Sequence, residues 1–251
     1  MSRLKGKVAV VTGGSRDIGQ AIAVKLAKEG AKVVVNYYNT KSGASDTVAK
    51  IEALGQDAIA VKADVSKLED IQYLKSKTIE KFGDRVDVLV NNAGGLFARK
   101  TLQEFDEAFY DMVMNVNFKS TVFVSQAFAA LMVKGASIIN LSSQAARDGG
   151  GGGSALYASS KGSVTTFSRA MAKELGPKGI RVNAICPGLI RTKFHDDFTK
   201  DEIRAKVAAS TPLRKEGSAD EVADLVAYLA SDEASFVTGN NIDINGGLAF
   251  S

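Results

Sequence analysis

The sequence has almost none of the features that mark secreted or membrane proteins. It contains one cysteine, Cys186, so no disulfide can form within the chain, and this fits a reducing compartment. The apolar run that follows the basic N-terminus is too short for the core of a signal peptide. No apolar run approaches the ~20 residues that cross a bilayer. We therefore expect a soluble, cytoplasmic protein with no membrane partner.

A single histidine, His195, gives little basis for a serine–histidine–aspartate triad. We expect His195 to lie at the surface near a substrate lid, and Cys186 to be buried rather than catalytic. The net charge is only +4 and the basic residues are scattered, which argues against nucleic acid as a partner. The hydrophobic content of 45% is ordinary for a globular protein, and we assign no metal ligands.

What the sequence does contain is a regular alternation of valine-rich apolar runs and segments of helical periodicity. Strands are predicted at residues 7–12, 31–36, 57–62, 86–90, 136–141, 180–185 and 241–244. Helices are predicted at residues 20–29, 44–54, 67–82, 102–115, 118–133, 199–209 and 219–230, and a further one carries Tyr157 and ends near residue 175. This alternation predicts an α/β fold in one domain, residues 1–251, with a Rossmann-type doubly wound parallel sheet and helices on both faces.

The turn between the first strand and the first helix is bracketed by Gly13 and Gly19. Glycines at such a turn let backbone amides and the start of the helix approach a pyrophosphate. A glycine pattern alone is weak evidence, but the strand before it and the helix after it are the context that a dinucleotide site requires.

Tyr157 and Lys161 are four residues apart in a predicted helix, so their side chains share one face. An ammonium beside a phenol favours the phenolate, and we expect it to lower the tyrosine pKa. Taken alone, this spacing is common by chance and fits an ordinary helix surface equally well.

Four motifs occur in a recognisable order: Thr12-Gly13-x-x-x-Asp17-x-Gly19, Asn91-Asn92-Ala93-Gly94, Tyr157-x-x-x-Lys161 and Pro187-Gly188. Together they resemble the short-chain dehydrogenase/reductase family over essentially the whole chain. The resemblance implies hydride transfer coupled to proton transfer at a carbonyl or alcohol. Tyr157 would exchange the proton, and Lys161 would lower its pKa and bind the nicotinamide ribose.

The resemblance also implies two further catalytic residues. Ser143 would donate a hydrogen bond to the substrate oxygen, with Ser142 as the alternative. The glycine run at 149–153 would absorb the one extra residue between Ser143 and Tyr157. Asn117 would hold a water in the proton relay, with Asn115 as the rival, and either could instead relax a kinked helix.

Family members have glycine or alanine where this chain has Asp17. A carboxylate would repel a pyrophosphate, so we expect Asp17 to point away, capping the helix start or pairing with Arg16.

The second strand ends at Asn36 rather than at the carboxylate that would favour NAD(H). Arg16 and Lys41 could instead reach a 2′-phosphate, so we expect NADP(H). The resemblance places this cofactor against Gly13, Ser15, Arg16, Asp17, Ile18, Gly19, Asn36, Tyr37, Asn39, Thr40, Lys41, Asp64, Val65, Asn91, Ala93, Gly94, Tyr157, Lys161, Pro187, Gly188, Ile190 and Thr192.

The predicted substrate contacts are Ser143, Gln144, Arg147, Tyr157 and Leu189. Arginines and polar groups near this pocket suggest a small polar carbonyl compound such as a sugar, a keto acid or a uronate. One alternative is a 3-oxoacyl-acyl-carrier-protein reductase, which needs a basic patch that Arg147, Arg181 and Lys134 could supply. A remote alternative is a non-catalytic NADP-binding redox sensor. The resemblance further implies a homotetramer formed through the helices at 102–133 and 155–175 and the last strand.

Overall fold

Seven strands alternate with helices along the chain, and the computed structural model describes residues 2–250 of it. The strands are β1 (Val8–Val11), β2 (Lys32–Tyr37), β3 (Ala58–Lys62), β4 (Val88–Asn91), β5 (Ser137–Leu141), β6 (Arg181–Pro187) and β7 (Asn241–Ile244). They form one parallel sheet in the order β3-β2-β1-β4-β5-β6-β7. The predicted doubly wound parallel sheet is therefore confirmed.

The α-helices are α1 (Asp17–Lys28), α2 (Lys41–Glu52), α3 (Leu68–Phe82), α4 (Glu107–Met114), α5 (Ser120–Ala129), α6 (Ala145–Asp148), α7 (Ala155–Leu175), α8 (Lys193–Phe198), α9 (Asp201–Ser210) and α10 (Ala219–Ala230). A π-helical turn, Asn115–Lys119, joins α4 to α5. Short 3₁₀ turns lie at Gly176–Lys178 and Asp232–Ala234. None of the helices in the described part of the chain combines the length and the apolar character that crossing a membrane requires.

Most predicted elements shift by one to four residues at their ends, and three larger differences stand out. The helix predicted at 102–115 begins only at Glu107, because the Asp106 carboxylate caps it by accepting from the Phe109 amide. The short helices α6 and α8 were not predicted, since a helix of four to six residues has too few positions to show periodicity. The π-helical turn was likewise not predicted.

The core lies in two layers, one on each face of the sheet. Helices α1, α2 and α10 cover one face, and α3, α5 and α7 cover the other. Side chains along β1 alternate between the layers, with Ala9 and Val11 in the first and Val8 and Val10 in the second. Every residue of β1 is buried, which explains why a continuous valine-rich run encodes a strand of this kind.

The strand order reverses between β1 and β4, which lie side by side at the centre of the sheet. Ligands of open α/β sheets bind beyond the carboxyl ends of the strands at such a point. Hydrogen bonds tie the two strand ends together: the Thr12 hydroxyl accepts from the Asn92 and Ala93 amides, both at 3.0 Å. The Asn92 side chain donates to the carbonyl oxygens of Thr12 and Gly13. The site is thus built on a rigid junction.

We predict that Gly19→Ala destabilises this junction by about 3 kcal/mol or more. A Cβ at Gly19 would overlap the Gly13 carbonyl oxygen and lie 2.6 Å from the Asn92 amide nitrogen, so the backbone would have to shift. Gly162→Ala is the matched control. It lies in α7 with no atom near the added Cβ, and the change should stabilise the helix by about 1 kcal/mol. Urea unfolding of both variants measures the difference, and equal stabilities would contradict the prediction.

Candidate active site

A large open cavity of ≈ 1080 Å³ follows the edge of the sheet where the strands end. Most of the predicted cofactor residues line it. These are Gly13, Ser15, Arg16, Asp17, Ile18, Gly19, Asn36, Asn39, Thr40, Asp64, Val65, Ala93, Gly94, Tyr157, Lys161, Pro187, Gly188, Ile190 and Thr192. Of the predicted substrate contacts, Ser143, Gln144, Tyr157 and Leu189 also line it. One cavity therefore joins the glycine turn to the Tyr157 helix.

Four predicted contacts lie away from this cavity. Tyr37 packs into the hydrophobic core, because the end of β2 turns its ring inward. Lys41 is exposed at the start of α2, outside the lining. Asn91 is buried and donates to the Ser125 hydroxyl and the Asn140 side-chain oxygen. These three residues drop out of the expected cofactor contacts.

Arg147 is the fourth, and it drops out of the expected substrate contacts. Its guanidinium pairs with Asp243 at 3.1 Å and donates to the Asn241 carbonyl oxygen at 2.7 Å. The partner lies 96 residues further along the chain, so no local sequence pattern could have indicated it.

Several lining residues were missed by the sequence analysis. Among them are Tyr38, Ala63, Ser66, Asn92 and Gly95. They lie within a few residues after the ends of β2, β3 and β4. Ligands of parallel sheets bind beyond the strand ends, so this position was the signal that could have identified them. Tyr38 replaces Tyr37 at the cavity because neighbouring residues of an extended chain point in opposite directions.

The glycine turn has the shape that a dinucleotide phosphate requires. Gly13 has a φ of +64°, and only glycine fits at Gly19. Arg16 precedes α1 without a side-chain cap, so the first amides of that helix face the cavity unblocked. Beside the turn, Asn36 is buried and accepts from the Gly13 amide at 3.3 Å. The residues present fit a nicotinamide dinucleotide.

Asp17 keeps the backbone conformation of a glycine, with a φ of +50°. Aspartate is among the few residues that tolerate this region. Its carboxylate lies 3.5 Å from the Arg16 guanidinium and accepts from the Lys193 amide at 3.2 Å. It does not cap α1. Of the two expected roles, the pairing is observed and the capping is not.

Tyr157 and Lys161 lie on consecutive turns of α7, as predicted, but their electrostatics differ from the expectation. Lys161 is buried and donates to the Leu141 carbonyl oxygen at 2.7 Å, and its ammonium lies 6.0 Å from the Tyr157 ring centre. Burial lowers the pKa of Lys161 to about 8. Burial also raises the pKa of Tyr157, and a hydrogen bond with Ser143 opposes this rise. The pKa of the Tyr157 phenol is therefore set mainly by its burial and not by the Lys161 ammonium.

The two candidate serines have different environments. Ser142 is buried and donates to the Lys161 carbonyl oxygen at 2.9 Å, so it holds the helix against β5. Ser143 accepts from the Ala145 amide at 3.1 Å, faces the cavity, and lies near enough to the Tyr157 hydroxyl to oppose the rise of its pKa. Both serines line the cavity, but the Ser142 hydroxyl is already committed to the Lys161 carbonyl oxygen, which favours Ser143 as the donor to a ligand.

Asn117 is fully buried inside the π-helical turn, a feature that often accompanies functional sites. Its side chain accepts from the Gly95 amide at 2.9 Å and donates to the Gly95 and Val113 carbonyl oxygens. A Cβ at Gly94 would lie 2.6 Å from the Asn117 side-chain oxygen and 2.9 Å from the Lys161 ammonium. Both polar atoms therefore flank one glycine, whereas Asn115 lines the cavity itself.

His195 and Gln144 contribute to the cavity wall near Tyr157. His195 is half-buried on α8, 3.0 Å from the Thr199 hydroxyl, and burial lowers its pKa to about 4. The Gln144 side-chain oxygen is buried without a donor, so it can accept from an N–H or O–H of a bound ligand. Cys186 is buried, as predicted.

Known proteins resemble the chain along its whole length. The family model described as enoyl-(acyl carrier protein) reductase matches residues 13–249. An uncharacterised oxidoreductase of Methylorubrum extorquens is 43% identical and covers 99% of this chain and 100% of its own. Versicolorin reductase 1 of Aspergillus parasiticus is 39% identical, covering 98% and 97%. Glucose 1-dehydrogenase 2 of Bacillus subtilis is also 39% identical, covering 98% and 95%.

Solved structures agree with the sequence relatives. A short-chain dehydrogenase/reductase from Serratia marcescens superposes with a TM-score of 0.93 at 34% identity and covers 99% of this chain and 100% of its own. A short-chain dehydrogenase from Burkholderia cenocepacia, solved in complex with NADP, gives a TM-score of 0.90 at 36% identity, covering 98% and 99%. The chain belongs to the short-chain dehydrogenase/reductase family and is an oxidoreductase that acts on CH–OH or carbonyl groups with a nicotinamide cofactor.

Proposed function

We propose that this protein is an NADP(H)-dependent reductase that converts a carbonyl group to an alcohol, with Tyr157 as the proton donor. The observation that carries the proposal is the Ser143–Tyr157–Lys161 cluster in the wall of the cavity that begins at the glycine turn. When bound, the nicotinamide supplies the hydride, and the carbonyl carbon receives it with both electrons. The carbonyl oxygen takes its proton from Tyr157, so the products are an alcohol and NADP⁺.

The protonation states of the chain's own residues favour this direction. A raised pKa keeps the Tyr157 phenol protonated at neutral pH, which is the form that can protonate a carbonyl oxygen. Ser143 donates to the same oxygen and stabilises the charge that develops there. The Lys161 ammonium, held by the Leu141 carbonyl oxygen, stabilises the phenolate left after proton transfer. Asn117 acts behind Lys161 as a positioning residue for the relay.

The preference for NADP(H) rests on the groups near the end of β2. The chain has no carboxylate between Asn36 and Asp46, and Tyr38, Asn39 and Thr40 line the cavity there. The half-exposed Arg16 guanidinium lines the same region, and its paired N–H donors can bind a 2′-phosphate. The NADP complex of the Burkholderia cenocepacia relative supports this choice.

The alternative of an acyl-carrier-protein reductase finds no support in the basic residues that it would need. Arg147 is paired with Asp243. Arg181, at the start of β6, is buried and donates to backbone carbonyl oxygens. Lys134 packs against Gly179, just before β6 begins. It therefore lies near the amino ends of the strands, whereas the cavity lies at their carboxyl ends. These residues form no patch at the cavity mouth. The intact proton-transfer cluster also disfavours a non-catalytic sensor.

Homotetramer formation in the cytoplasm is part of the proposal. β7 is an edge strand whose residues are only partly covered, so a second copy of the chain can pack there. The single buried Cys186 suits a reducing compartment.

Tyr157→Phe should lower kcat by about 10²- to 10⁴-fold, since it removes only the hydroxyl that transfers the proton. NADPH affinity should stay nearly unchanged because the ring still fills its place. Consumption of NADPH absorbance measures the rate, and fluorescence titration measures the affinity. Tyr73→Phe is the matched control: it makes the same change on the exposed side of α3 and should keep full activity. An active Tyr157→Phe variant would refute the assigned role.

Carbonyl reduction should weaken as the pH rises through about 8. The Lys161 ammonium is present below its pKa of about 8 and is lost above it, while Tyr157 stays protonated because its pKa is raised. Between pH 5 and 7 the rate should be level, since His195 titrates at about 4. The pH profile of kcat/KM tests this. A rate that increases from pH 7 to 9 would be the opposite result.

Arg16→Ala should raise the KM for NADPH by about 10- to 100-fold and change the KM for NADH little. This range corresponds to loss of a hydrogen bond to a charged group, ~1.5–3 kcal/mol. Lys41→Ala is the control: it also removes a nearby cation, but one outside the cavity lining, and should change neither KM. An unaltered protein that prefers NADH would show that Arg16 does not bind a phosphate.

A further inference from the structure

Aromatic rings surround the Tyr157 end of the cavity. The Phe194 ring, on α8, lies 5.9 Å from the Tyr157 ring at an interplanar angle of 40°. The Phe198 ring, one turn later, lies 5.4 Å from Phe194. Both phenylalanines line the cavity. A substrate whose carbonyl meets the Tyr157 hydroxyl would have these rings beside it.

A further aromatic residue lines the cavity from the segment after β4. Phe97 has a φ of +65°, a conformation that phenylalanine rarely adopts, and its side chain is 38% exposed. Its ring covers Gly95, where an added Cβ would lie 3.5 Å from it. Strained residues of this kind cluster at ligand clamps. Other apolar residues of the lining include Leu96, Met112, Leu189, Ile203, Val207 and Leu248.

The basic side chains that suggested a polar or anionic substrate are not free to bind such a substrate. Arg147 lies outside the lining and pairs with Asp243. Arg191 and Lys193 also lie outside the lining, and Lys193 pairs with Asp197 at 2.7 Å. The basic residues that follow Gly188 therefore face solvent rather than the substrate.

Arg99 does line the cavity, but its guanidinium is already engaged. It donates to the Phe198 carbonyl oxygen at 3.1 Å and to the Gly152 carbonyl oxygen at 2.9 Å, which ties α8 to the glycine run. His195 is uncharged at neutral pH, and the Asp148 carboxylate also lines this end. A carboxylate or phosphate on the substrate would meet the Arg99 guanidinium here, but that group already holds two backbone carbonyl oxygens and shares this end with Asp148. The water lost by such an anion would therefore be poorly compensated. The Gln144 side-chain oxygen can accept from one hydroxyl of a sugar, but the other hydroxyls would lie beside the rings and aliphatic side chains of the lining.

We propose that the substrate is a neutral ketone whose carbonyl is attached to a flat aromatic ring system, in place of the sugar, keto acid or uronate that the sequence suggested. The inference rests on the proposed function, since it takes Tyr157 as the proton donor. The ring stacks among Phe97, Phe194 and Phe198, and the carbonyl oxygen reaches Tyr157 and Ser143. The reaction is the reduction already described: hydride adds to the carbonyl carbon, the Tyr157 proton goes to oxygen, and NADPH becomes NADP⁺.

The test compares kcat/KM with NADPH for a matched set of carbonyl compounds. The set contains 2-acetylnaphthalene, its carboxylated analogue 6-acetyl-2-naphthoate, the ring-free ketone 2-butanone, a keto acid and a keto sugar. We expect 2-acetylnaphthalene to exceed every other member by about 100-fold or more, a ratio within reach of a pocket that leaves charged or polar groups unpaired. A carboxylated analogue, keto acid or keto sugar that reacts equally well overturns the substrate class and leaves the reductase standing. No turnover of any member overturns the reductase itself.

Variants of the rings provide a second measurement. Phe194→Leu and Phe198→Leu keep an apolar side chain and remove the ring, so kcat/KM for 2-acetylnaphthalene should fall about tenfold, mainly through KM. The rate with 2-butanone should change little. Phe236→Leu, at a fully exposed position, is the control and should alter neither value. Equal losses for both ketones, or none for either, would overturn the role of the rings, and melting curves confirm that each variant is folded.

Discussion

The structure depends on the contact between the turn after β1 and the end of β4. The Thr12 hydroxyl and the Asn92 side chain lock the two strand ends together, and Gly19 lets α1 approach the Gly13 carbonyl oxygen without a side chain between them. This contact fixes where the amides at the start of α1 point. It also sets the segment after β4 beside Asn117 and Lys161, because the Gly95 amide bonds to Asn117. The glycine turn and the Tyr157–Lys161 pair thus depend on one junction.

The elements of the fold could be predicted because each carries a local signal. Buried valine-rich runs encode strands such as β1, and helical periodicity encodes α10. The shared position of Tyr157 and Lys161 on one side of α7 could be predicted because a helix fixes which residues share a face. Short or irregular elements carried no such signal. The π-helical turn at Asn115–Lys119 depends on bonds from Asn117 to a loop more than twenty residues away in sequence.

The errors at the site have the same origin. Whether Tyr37 or Tyr38 faces the cavity depends on where β2 ends, and a shift of one residue reverses the direction of a side chain. The role of Arg147 depends on Asp243 in the last strand. The Tyr157 pKa was expected to fall because sequence spacing shows the neighbouring charge, whereas burial raises it. The burial of a side chain depends on the whole fold, so a short sequence pattern does not predict it.

Asp17 links two parts of the molecule that a glycine in its place would leave separate. Its carboxylate bonds to the amide that opens α8, the helix that carries Phe194 and Phe198. An aspartate in the left-handed region costs about 1 kcal/mol, and the bond to α8, together with the Arg16 pair, offsets that strain. Asp17, the residue that departs from the family pattern, therefore connects the glycine turn to α8. This one hydrogen bond joins the turn directly to the helix that bears two of the aromatic rings of the cavity wall.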